Sequence, residues 1–420
     1  MRFQKNDAIR VILTLLILCA GASAFSAQFY TEAMTGAFFA FALASVVLLH
    51  LRVRPKLPDV AMLAGSTVFF AFVDFRLLHY APKFVAWLSF AGMSSILIMA
   101  IRSVWEKDRS AFKMLLYAWV PSVLFVSSDY FASTMLAWTA AAHPKTLDLY
   151  LMSFDFSMRI PLAFYAGQMY TLYPWLHNAG LLAYVGLAIP ITLVYAGRLV
   201  RFGEKAFPSM LAFLITGPVG VVFYNFFPAG GPRNLLPQAF PFSALPIMDV
   251  PRILLEPVAI GGARNAMPSL HMAWVLLAWW YSRGLSWIER SIVMAFVVLT
   301  AFATMGNGEH WFVDLLVAFP FALLIQAICV YSLPWKSDSR LAAFFFGLLG
   351  TISWLVILRY GSKLFWTSPV VPWALAVATI ALVSIRQAQL DRAIEADVHT
   401  KESVEESAYP AAPQTPTVIA

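Results

Sequence analysis

The 420-residue chain is 60% hydrophobic and only 12% charged, with a mean hydropathy of +0.74. A water-soluble domain of that composition has no means of covering itself with polar surface, so the expected solvent is the bilayer. The net charge of +7 comes from Lys and Arg scattered between apolar runs rather than gathered into a basic stripe, which argues against nucleic acid as a partner.

Crossing a bilayer takes about 20 apolar residues at about 1.5 Å of rise each. Runs of roughly that length fall at 11-28, 34-52, 60-79, 84-101, 114-131, 177-198, 209-228, 269-285, 288-305, 312-333, 341-359 and 367-385. The expected fold is therefore all-α: a polytopic integral membrane helix bundle of about twelve transmembrane helices. Cys19 and Cys329 both lie inside apolar runs, far apart, so neither a disulfide framework nor a metal cluster is indicated.

The first run ends Ala20-Gly-Ala-Ser-Ala-Phe, which a signal peptidase also accepts, so cleavage near Ala24 is the alternative to a first helix. Short cytoplasmic loops collect Lys and Arg. Arg2, Lys5 and Arg10, then Arg52, Arg54 and Lys56, then Arg102, Lys107, Arg109 and Lys113, then Arg198, Arg201 and Lys205 mark every second connection. Arg283 with Arg290, and Lys336 with Arg340, continue the series; Arg359 and Lys363 depart from it. This alternation puts both termini in the cytoplasm and the stretches 132-176 and 229-268 on the opposite face. Asp148, Asp155 and Arg159 make 143-175 too charged to span and too apolar for a free loop, so an interfacial or re-entrant lid that only packs is expected there. After Ile385 the polar tail 386-420 is expected to be disordered.

Three segments place ionisable residues at the ends of apolar runs: Gly231-Pro232-Arg233, then Arg264 through Pro268-Ser269-Leu270-His271, then Glu309-His310-Trp311-Phe312-Val313-Asp314. A lone His or Arg at such a place is more often an interfacial anchor than a catalyst. Convergence argues otherwise, because two crossings separate His271 from His310 and the chain from Arg233 to Arg264 never leaves that face. Asp314, one helical turn beyond His310, is placed to accept the imidazole Nδ1 proton and leave Nε2 free to attack. Arg233 and Arg264 would hold phosphoryl oxygens with planar donor forks, helped by the helix start at Ser269, and His271 would protonate the leaving oxygen. No metal and no cofactor is required by that scheme.

Pro268-Ser269-Leu270-His271 and His310-x-x-x-Asp314 resemble the second and third motifs of the type 2 phosphatidic acid phosphatase superfamily. Leu in Pro-Ser-Leu-His, and the run Phe226-Phe-Pro-Ala-Gly-Gly-Pro232, are most similar to its inositol phosphorylceramide synthase branch. The resemblance covers about 209-333. It implies a six-helix membrane core within a catalytic region 143-340, flanked by helices 1-142 of unknown role and by 341-385. It further implies a phosphohistidine at His310, oriented by Asp314, with His271 as general acid and then base. Two departures matter: Thr304 stands where phosphatase members carry an Arg, and the first motif lacks an upstream Lys. Both favour a transferase that moves a phosphoryl head group from a phospholipid or other lipid phosphate donor to a lipid alcohol. A lipid phosphate or polyprenyl diphosphate phosphatase using the same residues is the alternative, and a lipid transporter is the non-enzymatic one.

Overall fold

The computed structural model describes residues 37–78 and 84–408, and it is an all-α bundle. The expected run 11-28, with Cys19 and the site near Ala24, lies outside the described residues, as does the part of the tail beyond 408. In chain order the helices are α1 (Ala37–Arg52), α2 (Leu57–Leu78), α3 (Phe84–Trp105), α4 (Arg109–Ala142), α5 (Asp148–Ser157), α6 (Leu162–Leu172), α7 (Pro174–Val185) and α8 (Ala188–Phe202). They continue as α9 (Phe207–Phe226), the single turn α10 (Pro232–Leu235), α11 (Leu270–Tyr281), α12 (Trp287–Gly306), α13 (Phe312–Cys329), α14 (Asp338–Tyr360), the turn α15 (Ser362–Phe365) and α16 (Val370–Ala408). Two short antiparallel strands, β1 (Lys145–Thr146) and β2 (Val258–Ala259), pair Lys145 with Ala259 and Thr146 with Val258.

Among the described residues, seven helical stretches are long and apolar enough to cross a membrane, fewer than the runs suggest. The run 177-198 is two helices, α7 and α8, because the chain breaks at Gly186. The run 269-285 yields only the 12 residues of α11, about 18 Å at 1.5 Å per residue, which is short of the hydrocarbon thickness. Nor does the chain become disordered after Ile385. Helix α16 continues to Ala408, held where Asp391 takes an ion pair from Arg283 and a 3.1 Å hydrogen bond from the Gln326 amide, while Gln387 accepts from Arg283 at 2.9 Å.

Helix α13 is apolar apart from Asp314 and Gln326, and 83% of its residues are buried, as befits a central helix rather than a surface one. It packs against α9, α11, α14 and α16, and α12 lies over α6, α7 and α11. Gly347 of α14 lets that helix approach closely, since a Cβ there would stand 2.5 Å from the Leu324 amide nitrogen of α13. Helices α1 to α4 form a second group, with α1 on α3 and α8, and α4 on α9.

The basic connections meet at one end of this bundle. Arg52 and Arg201 both pair with Glu289, Arg102 with Asp59 at 2.8 Å, and Lys113 with Glu204 at 2.8 Å. The connections carrying Arg233, Arg264 and His310 meet at the other.

Candidate active site

The site is built where three loops stack backbone against backbone. After α9 the chain runs Phe227-Pro-Ala-Gly-Gly-Pro232, and Gly231 has φ of +84°, a region that favours glycine. A Cβ on Gly231 would stand 2.3 Å from the Glu309 carbonyl oxygen, so nothing larger fits between this loop and the one that carries His310. The Arg233 amide donates to the Gly308 carbonyl at 3.0 Å, and the Ala266 amide to the Ala229 carbonyl at 3.0 Å. Segments distant in sequence thereby become one surface.

His310 precedes α13 and is 2% exposed, with Nδ1 3.0 Å from the Ala266 carbonyl oxygen and 3.4 Å from Asp314 Oδ2. The Ala266 carbonyl can only accept, so the ring proton sits on Nδ1 and Nε2 keeps its lone pair. Asp314 therefore shares the orienting role that the sequence assigned to it alone, because its Oδ2 also accepts the Trp311 amide at 2.7 Å. Nε2 lies 3.3 Å from Ser269 Oγ, and that hydroxyl also caps α11 by accepting from the Met272 amide. Burial pushes the His310 imidazole down to about 4, which keeps it neutral in ordinary conditions.

His271, in the first turn of α11, stands with its ring centroid 6.4 Å from that of His310. It stacks on Tyr184 of α7 at 4.2 Å with the planes 13° apart. Two imidazoles from segments distant in sequence thus stand edge to face. Arg233 is exposed at its edge, with its backbone fixed to Gly308, two residues before His310.

Arg264 does not join them as a phosphate ligand. Its guanidinium donates to five backbone carbonyls, those of His143, Pro144, Ile260, Gly261 and Gly262, at 2.6 to 3.3 Å. All five donors of the fork are spent on tying the α4 terminus to the loop before α11, and the residue is 4% exposed.

Two residues read as part of a packing lid matter more than that reading allows. Asp148 Oδ2 accepts the Gly230 amide at 2.9 Å, while Oδ1 accepts the Gly231 amide at 2.8 Å and Trp311 Nε1 at 3.1 Å. Asp155 accepts the Phe312 amide at 2.7 Å and the Val313 amide at 3.2 Å, closing the N-terminus of α13 directly after His310. Amides that a helix start leaves unpaired are thus satisfied by a carboxylate from another helix. The signal was in the sequence: two acids seven residues apart lie on one helical face, inside an otherwise apolar segment.

No curated protein and no solved structure matches the chain. Residues 149–328, which contain Asp155, the glycine loop, both histidines and Asp314, match the family model of the PAP2 superfamily, and that segment is the part of this helical membrane protein similar to a known family.

Proposed function

We propose that the chain is a metal-independent lipid phosphotransferase that works through a phosphohistidine at His310. The observation that carries this reading is the setting of that imidazole, with Nδ1 against the Ala266 carbonyl and Asp314, Nε2 beside the Ser269 hydroxyl and the His271 ring 6.4 Å away. A neutral imidazole with its lone pair at Nε2 is what attack on phosphorus requires. The Ser269 hydroxyl donates to that nitrogen at rest and can turn to a phosphoryl oxygen when substrate arrives. Arg233 supplies the guanidinium for the remaining oxygens, and the amides at the start of α11 add to the anion site.

In the first step Nε2 bonds to phosphorus and the phosphorus–oxygen bond to the leaving group breaks; His271, neutral at rest, takes up a proton when the phosphate anion binds beside it and gives that proton to the leaving oxygen. In the second, His271 takes a proton from an acceptor hydroxyl, whose oxygen bonds to phosphorus as His310 departs neutral. The Thr304 and missing-Lys departures favour a lipid alcohol over water as acceptor, as in the inositol phosphorylceramide synthase branch. The distribution of Lys and Arg among the connections supports termini in the cytoplasm and a site at the extracytoplasmic face.

The test is transfer or release of labelled phosphate from a lipid panel in EDTA, comparing wild type with His310→Ala, with acid-labile label sought on the protein. Turnover and labelling that both vanish in the variant support the reading. Turnover that survives the substitution removes His310 as nucleophile, and turnover abolished by EDTA removes metal independence. Labelled inorganic phosphate as sole product would make the enzyme a phosphatase.

A further inference from the structure

Beside His271, and away from His310, lies a cavity of about 640 Å³ whose walls come from both helix groups. Phe38 of α1 and Phe125 and Met135 of α4 form one side; Phe213 and Gly217 of α9 and Trp274 of α11 form the other. Helices α1 and α4 lie outside the segment similar to the PAP2 superfamily, so the cavity is an addition to that core. Asn265 and His271 border it together with Tyr184, the residue stacked on His271, and Ser127 and Ser128 of α4 are its other small polar groups. From Tyr224 to Phe213 it follows eleven residues of α9, about 16 Å at 1.5 Å per residue, roughly the depth of one leaflet of a core about 30 Å thick.

We infer that this cavity binds the single long hydrocarbon chain of the alcohol whose oxygen His271 protonates or deprotonates. The inference rests on the phosphotransferase reading and deepens it by naming the acceptor class: a one-chain lipid alcohol. A volume of about 640 Å³ falls inside the roughly 300–1,000 Å³ of sites that enclose one small ligand, which suits one long chain. A pocket of this size, mostly apolar and bordered by an imidazole and an amide, is the form that orients an amphiphile by its head. The chain lies along α9 and α4, and its hydroxyl comes to His271 and Asn265. Each methylene withdrawn from apolar surroundings weakens binding about fourfold, so a cavity shortened by two methylenes discriminates strongly by length. The helices ahead of the core thereby acquire a purpose: they build the acceptor's chain site.

Gly217 is the place to test this, because a Cβ there would meet only a Trp274 ring carbon at 3.9 Å, so a side chain enters the cavity without disturbing the backbone. In lipid nanodiscs, a diazirine-bearing hexadecan-1-ol should label α1 and α4 saturably, and unlabelled hexadecan-1-ol should compete while octan-1-ol does not. Gly217→Leu should reduce that labelling at least tenfold, and Gly217→Ala should reduce it less, in the same direction. In turnover, Gly217→Leu should move the preferred acceptor to shorter alcohols and leave release to water within about twofold. Labelling unchanged in Gly217→Leu, or label displaced equally well by dipalmitoyl phosphatidic acid, overturns the proposal, the latter by giving the cavity to the donor. Saturable, Gly217-dependent labelling in a protein that turns over no lipid would uphold the chain site and sink the phosphotransferase reading. Turnover whose chain-length profile ignores Gly217→Leu would do the reverse.

Discussion

Asp155→Asn is the substitution that most directly probes how His310 is held. The carboxylate takes two amides, at 2.7 Å from Phe312 and 3.2 Å from Val313, with one oxygen for each. Asn keeps one acceptor and turns an NH2 group towards the other amide, so one charge-assisted bond is lost and one buried donor is left unpaired. Those two effects cost about 3 kcal/mol together, taking about 1.5 for each. Part of that loss should appear as a lower unfolding temperature, and part as a shift of the loop two residues from the attacking nitrogen. A displacement near 1 Å at a reacting atom costs about a hundredfold in rate. We therefore expect kcat for phosphohistidine formation to fall about a hundredfold, with KM for the lipid donor changed less than about threefold. The readouts are single-turnover labelling of His310 and thermal unfolding followed by tryptophan fluorescence. Burial pushes the Asp155 carboxyl up to about 8, while its two amide bonds pull the other way, so both readouts are taken at about pH 9, where the group is ionised and not a neutral acid. A neutral acid is matched closely by Asn, so wild-type kcat and stability in Asp155→Asn would refute the clamp.

The same geometry yields further expectations. Arg233→Ala should weaken vanadate inhibition about tenfold or more through the loss of a charge-assisted contact. Arg264→Lys should leave vanadate affinity of the folded protein unchanged and lower the unfolding temperature, since an ammonium has three donors for five carbonyls. Because His310 is held near 4 against an ordinary 6.5, its imidazole stays neutral as pH falls through 6. The acid limb of kcat/KM that belongs to it should appear near 4. The unfolded chain takes up that proton first, so this group makes no contribution to stability above about 6.5 and lowers it progressively as pH falls from there towards 4. A stability profile flat over that interval in wild type, or one unchanged by His310→Ala, would contradict the assignment. Truncation after Ile385 should lower the unfolding temperature by stranding the buried Gln326 amide and Arg283, while phosphohistidine capture in the folded fraction stays within about twofold.

What was legible in this sequence followed from what the bilayer forbids. Backbone groups inside hydrocarbon need partners within their own segment, so helices announce themselves as long apolar runs; α3, α4, α9, α12, α13 and α14 each contain most of an expected span. Charges beside such runs are costly, which is why Arg233, His271, His310 and Asp314 stood out before any geometry was known. Hydropathy is blind to where an apolar run bends, so the break at Gly186 and the shortness of α11 were not visible in it. It is equally blind to partners. Arg233 and Arg264 carry the same chemistry in the same kind of loop, and only the fold distinguishes a guanidinium at the rim of the site from one surrounded by five carbonyls. Asp148 and Asp155 were misjudged for the converse reason. Their burden is structural in form, amides of Gly230, Gly231, Phe312 and Val313, yet those amides belong to the two loops that define the space around His310. A buried acid in an apolar helix must be neutral or paired, and the nearest unpaired donors in such a protein are helix starts and glycine loops. Two acids seven residues apart in a segment that cannot span thus point to donors in other segments, and here those donors are the glycine loop and the helix start that flank His310.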